Sequence, residues 1–258
     1  MTFSAPTNPQ APPDAFRRAN SIGVPFRFRC LASRLLFSLV AFALTGGSAL
    51  AQDSAVKRLD SAAAILRDTL EAPDQGIPQD LLDHAECVGI FPSVFKGAFI
   101  IGARYGKGVV SCRSGDGWSA PASFRIEGGN IGFQIGGSAT DIVLLFIGER
   151  SIERLLRTKV TLGIDGSAAA GPVGRTATGQ TDALFGAEIL TYSRARGLFA
   201  GIALDGATLR PARGANQHLY GNDLATTDIL RGGVPAPDAA RPLLEALKFY
   251  SPRKVSGD

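Results

Sequence analysis

The stretch IIGARYGKGVVSCR, residues 100 to 113, places one lysine between two glycines inside a run of apolar residues. A two-residue loop that opens with glycine suits a type II′ turn, so Gly106-Lys107 is expected at the tip of a β-hairpin. Pairing about that tip sets Tyr105 opposite Gly108 and Arg104 opposite Val109. One face then carries Phe99, Ile101, Ala103, Tyr105, Val110 and Cys112, and the other Arg104 and Arg113, with Lys107 at the end. Cations sharing one sheet edge either hold a phosphate or form a solvated polar face. The stretch is not a P-loop, because Gly-Lys-Ser/Thr is missing and a hairpin supplies no helix N-terminus.

Catalytic chemistry finds little to stand on. No pattern joins the two histidines, His84 and His218, and Cys/His spacings for zinc are absent. GGSAT fails the Gly-x-Ser-x-Gly elbow at its last position. SVFK (Ser93 to Lys96) matches Ser-x-x-Lys, but Pro92 and β-like flanks argue against the helix that motif needs, and its companion motifs are missing. Asp165-Gly166 and Asp205-Gly206 read as turns, Asp141 stands at a strand edge, and none belongs to the dense carboxylate run of a calcium loop. Trp118 reads as a core or loop anchor. No catalytic residue, metal site or cofactor is expected; a hydrolase with an unrecognised site is the third-ranked function.

The first 51 residues read as an export leader. Five arginines (Arg17, Arg18, Arg27, Arg29, Arg34) precede the apolar run Leu35 to Leu44, and Ala49-Leu50-Ala51 is a cleavage signal, so the mature chain is expected to begin at Gln52. The leader holds five of the 27 basic and one of the 23 acidic residues, leaving 22 of each. A neutral mature chain gives no support to bulk electrostatic binding of nucleic acid, so any anion site must be local. Cys87 and Cys112 remain after cleavage. They are either a disulfide, closing a loop of about 25 residues worth roughly 3 to 4 kcal/mol, or two buried thiols in neighbouring strands.

Val56, Leu59, Ala63, Leu66 and Leu70 recur at steps of three and four, the period of an amphipathic helix, with Lys57, Arg58 and Arg67 off the stripe. That helix either packs on the domain or lies in a membrane interface. A short second helix is expected to start at Pro78. From Cys87 onward, short apolar or alternating runs separated by glycine-containing turns indicate strands. One helix interrupts them at RSIERLLRT, and others return at TTDIL and AARPLLEALKF. The expected fold is α+β: a curved, barrel-like, mostly antiparallel β-sheet with N-terminal and C-terminal flanking helices. The organisation is a signal peptide over 1–51, amphipathic helices of the domain over 52–83, a β-rich body with C-terminal helices over 84–250, and a frayed tail over 251–258.

Six motifs in order and spacing, CVGIFPSVFKGAFIIGARYGKGVVSCR, GWSAPASF, GFQIGGSATDIVLLF, TLGIDGSAAAGPVGR, YSRARGLFAGIALDGA and NQHLYG, resemble the SYLF domain. The resemblance runs from about Ala55 to Leu247 and implies phospholipid binding, partly through an N-terminal amphipathic helix and nearby basic residues. Carried over, the helix role falls to Lys57, Arg58 and Arg67, Lys107 matches the family's Gly-Lys-Gly, and Arg175 matches the arginine after Gly-Pro-x-Gly. Together with Arg104 and Arg113 these are the candidate lipid-binding residues. Some eukaryotic members also bind actin, a partner that export argues against for this chain. The expected function is therefore non-enzymatic phospholipid binding at a membrane surface, in the periplasm or cell envelope. The alternative is a structural or assembly protein that binds an envelope protein partner.

Overall fold

The structure, a computed structural model, describes residues 53–72, 76–99, 101–115, 117–131, 136–173, 187–195 and 198–252. The expected leader, Arg175 and most of the expected tail lie outside the described residues. The first element of the described residues is helix α1 (residues 53–71), followed by α2 (Gln79–Asp83), whose N-cap is Pro78. Ten strands then follow: β1 (Ala85–Phe99), β2 (Ile101–Ser114), β3 (Gly117–Trp118), β4 (Ala122–Ile131), β5 (Gly136–Ile147), β6 (Val160–Thr161), β7 (Ala168–Ala170), β8 (Ile189–Ala195), β9 (Leu198–Gly201) and β10 (Thr208–Pro211). Helix α3 (Glu149–Leu155) interrupts them, and α4 (Arg213–Tyr220), α5 (Thr226–Leu230) and α6 (Arg241–Tyr250) close the fold.

The main path of the sheet runs β6-β10-β4-β2-β1-β5-β8-β7, antiparallel except where β7 joins β8. Its topology forces it to curl. Seven strand spacings of about 4.8 Å would set the edge strands about 34 Å apart in a flat sheet. Yet β6 ends at Thr161 and β7 begins at Ala168, and seven residue steps reach at most about 25 Å. The result is the expected α+β class, built as an open half-barrel.

Each face of this sheet buries its own core. On the outer face, α1, α2 and α6 pack Leu59, Leu66, Leu82 and Leu247 against Val88, Ile90, Val109, Val143 and Leu145. Inside the curl lie Phe91, Val110, Phe124, Ile126, Leu144, Phe146 and Leu209, closed over by α3 and α5. Cys87 and Cys112 sit directly opposite one another on β1 and β2, both fully buried in the inner core, and are joined by a disulfide.

The β1–β2 hairpin does not turn at Gly106-Lys107. Phe99 pairs with Ile101, so the chain reverses between them, and Lys107 lies mid-strand, opposite Arg125 of β4. The glycines answer a different demand. The β1 register shifts between Ile90 and Phe95, and Ser93 takes a φ of 49°, braced by its N–H donating to Asp141 Oδ1 at 2.9 Å. This irregularity brings β1 onto β2 so closely that a Cβ at Gly106 would lie 2.6 Å from Val94 Cγ2, and one at Gly108 would strike the Ile90 carbonyl oxygen. Glycine here permits close approach of two backbones, a need that looks the same in sequence as a turn.

Candidate functional site

Along β2, odd-numbered residues face outward and even-numbered ones face into the curl. Lys107 and Arg104, expected on one sheet edge, therefore stand on opposite faces. Strand pairing then builds an outer-face row that the sequence does not announce: Lys107 of β2 opposes Arg125 of β4, which opposes Arg210 of β10. Like charges directly opposite one another destabilise a sheet by a few tenths to about 1 kcal/mol each. Glu127 relieves part of this, pairing with Arg125 and lying 3.7 Å from Arg210 Nε.

Two helices complete the site. Helix α1 contributes Arg58 from its first turns, and α4 contributes Arg213 and His218. Together with Tyr105, Lys107 and Arg125 they line a cleft of about 380 Å³. None of the described residues that line it is a carboxylate. Burial pulls the Arg58 guanidinium below its usual range, an effect that the Tyr105 hydroxyl partly opposes. The N-terminal turn of α4, Ala212 to Ala215, also lines the cleft, and its unshared N–H groups add partial positive charge. Arg125 keeps Glu127 as a counter-charge, whereas Arg58, Lys107 and Arg213 have no ion-pair partner among the described residues, so the half-sheltered cleft carries an excess of positive charge that forms an anion site.

Beside the cleft the outer face is uncovered and aromatic. Phe95 pairs with Tyr105 across β1 and β2, and the two rings are 55% and 47% exposed. Exposed aromatic rings next to basic side chains suit a lipid–water boundary.

The remaining candidates are dispersed. Lys57 points to solvent and pairs with Asp53 at 2.5 Å, and Arg67 donates to the Pro242 carbonyl at 3.4 Å. The apolar stripe of α1 is not available to a membrane in this arrangement, because Leu59 and Leu66 are buried in the outer core. Arg113 is a structural tie: it lies 4.7 Å over the Trp118 ring and donates to Ala85 O and Ser251 Oγ, fastening the end of α6 to the sheet. Among the described residues no group of three or more His, Cys, Asp or Glu could hold a metal ion, and no helix is long and apolar enough to cross a membrane.

Arg125, Arg213 and His218 escape sequence reasoning. ASFRI shows Arg125 only as one polar residue of an alternating strand, and Arg213 and His218 lie about 90 residues farther along, in a helix that the glycine and proline around it conceal.

Comparison with known proteins places the chain in a family. A family model described as "Ysc84: Las17-binding protein actin regulator" matches residues 127–250. The chain is 37% identical over 197 residues to rat "SH3 domain-containing YSC84-like protein 1", a match covering 74% of this chain and 58% of the relative. It is 38% identical over 185 residues to the Schizosaccharomyces pombe "SH3 domain-containing protein PJ696.02", covering 70% of this chain and 43% of that protein. It is 36% identical over 179 residues to Saccharomyces cerevisiae "Protein YSC84", covering 68% and 38%. The chain thus spans less than two thirds of the length of each of these relatives.

Proposed function

As the chain belongs to the Ysc84/SYLF family, we propose that it binds phospholipid without catalysis, the headgroup phosphate entering the cleft of Arg58, Lys107, Arg125 and Arg213. One observation carries this reading: those cations converge beside exposed aromatic rings, and no carboxylate among the described residues lines their cleft. Phosphate supplies the missing charge, while Phe95 and Tyr105 meet the glycerol and upper acyl region. Each basic side chain near an anionic surface contributes about 1 kcal/mol, and apolar contact adds about 25 cal/mol per Å² buried.

In this reading α1 acts through Arg58, its apolar stripe remaining in the core. The leader at 1–51 directs the chain to the cell envelope, where it works at a membrane surface. The matching family model is described as an actin regulator; export would carry this chain away from actin, which sets the lipid reading ahead of that one.

Co-sedimentation with phosphatidylcholine and with phosphatidylglycerol vesicles tests the proposal at low and moderate salt. The expected result is a preference for the anionic vesicles that weakens, without vanishing, as the screening length shortens to about 8 Å at physiological ionic strength. Equal or absent binding to both overturns it and favours a protein partner of the envelope.

A further inference from the structure

A second cation pair occupies the inner face of the same strands. Lys96 of β1 stands directly opposite Arg104 of β2, and Arg104 in turn opposes Gly128 of β4. Neither the Lys96 nor the Arg104 side chain has an ion-pair or hydrogen-bond partner among the described residues, so the like-charge pair stands uncompensated within the sheet. The two side chains project into a pocket of about 280 Å³ whose other walls are Gly128, Gly129, Ala203, Asp205 and Ala207.

The construction of this pocket is specific. Gly128 gives Arg104 no neighbouring side chain on β4, and a Cβ there would lie 3.3 Å from Ala207 Cα, closing the space. Small residues thus keep open a hollow into which two cations point, at the distal end of the curl, as ligand sites sit in the mouths of barrels. Desolvation draws the Arg104 guanidinium below its usual range, a cost that an anion in the pocket would offset.

We propose that this inner pocket binds a small phosphate ester, Lys96 and Arg104 holding the phosphate and Asp205 accepting a hydrogen bond from a hydroxyl of the ester. The size supports a small ligand, since the volume of about 280 Å³ falls just below the roughly 300–1,000 Å³ of ordinary ligand pockets. The site lies on the opposite face of β2 from the Lys107 cleft, and it does not depend on the reading given to that cleft.

An NMR titration of the protein, following the backbone amides of Gly128, Gly129 and Ala207, tests it. Inorganic phosphate and glycerol 3-phosphate are added at fixed ionic strength. Saturable shifts are expected from both, with glycerol 3-phosphate the tighter. Arg104→Gln and Lys96→Gln should each weaken binding at least tenfold, Asp205→Asn should weaken only the ester, and Lys107→Gln should leave the titration unchanged. Shifts that do not saturate, or that survive in the Lys96→Gln/Arg104→Gln double variant with an unaltered melting curve, overturn the proposal. Phosphatidylglycerol vesicles distinguish the source: if Arg104→Gln also lowers vesicle binding, the phosphate is a membrane headgroup, and if it does not, a soluble ester.

Discussion

The two halves of the β1–β2 hairpin differ in nearly everything except their backbone pairing. Near the disulfide, Val88, Ile90, Val109 and Val110 are buried, because helices cover the outer face and the inner core fills the curl. Beyond the irregularity at Ser93, the same strands expose Phe95 and Tyr105 on one face and carry uncompensated cations on both. Helix α1 reaches the boundary with Ala55 and Arg58, which line the outer cleft. The lesson is one of division of labour: residues under the helices hold the fold, which frees the distal half to keep charges that a core could not tolerate.

The sharpest way to break that division is to damage the covered half. Leu66 is fully buried in α1, so Leu66→Ala should cost about 2 to 5 kcal/mol in urea unfolding. A loss below 1 kcal/mol would mean that α1 is only loosely docked and could leave the sheet to enter a membrane. Next in size is the Cys87–Cys112 disulfide, whose sequence separation is 25. Replacing both cysteines by serine should remove about 3 kcal/mol of stability on the loop-entropy account, while vesicle binding at a temperature where the variant stays folded is unchanged.

The uncovered half should respond in the opposite sense. Lys107→Glu reverses one charge in the cleft and should weaken binding to phosphatidylglycerol vesicles about 30-fold, or about 2 kcal/mol for the two charge units. It also replaces a repulsion opposite Arg125 by an attraction, so stability should stay within about 0.5 kcal/mol of wild type or rise slightly. A variant that loses binding and stability together would erase the contrast between the halves.

The smallest expected effect lies away from both. The Asp165 carboxylate is held below its usual range, foremost by the hydrogen bond that Thr161 N–H donates to it at 2.7 Å. A carboxyl lowered in the folded state stabilises fully above its unfolded value, about 3.9, and that contribution fades as pH falls through the folded value. Asp165→Asn should therefore melt slightly below wild type at neutral pH, with the difference closing below about pH 4. A difference that persists into acid would assign the effect to geometry instead of charge.

Much of the architecture is legible in the chain. The three- and four-residue steps of Leu59, Ala63, Leu66 and Leu70 give α1, and Pro78 precedes α2 as expected. The helices at 149–155 and 226–230 fall at RSIERLLRT and TTDIL, as expected. The hairpin turn is misplaced because Gly106 and Gly108 carry the composition of a turn, although the need they meet comes from Ile90, Phe91 and Val94 on the strand alongside. The cleft is legible only in part. Arg58 is legible as a cation off the apolar stripe of α1 and Lys107 as a lysine between two glycines, whereas their relation to Arg125 and Arg213 exists only after two strands and two helices have come together.

By itself the sequence determined the periodicities, the α+β class, the pair of cysteines and the family, because each depends on residue type and local order. Tertiary structure alone decided which face every cation occupies, which side chains oppose each other and which cations go without a counter-charge. Alternation fixes only that neighbouring residues point in opposite directions, and one shift of register at Ser93 resets every contact beyond it.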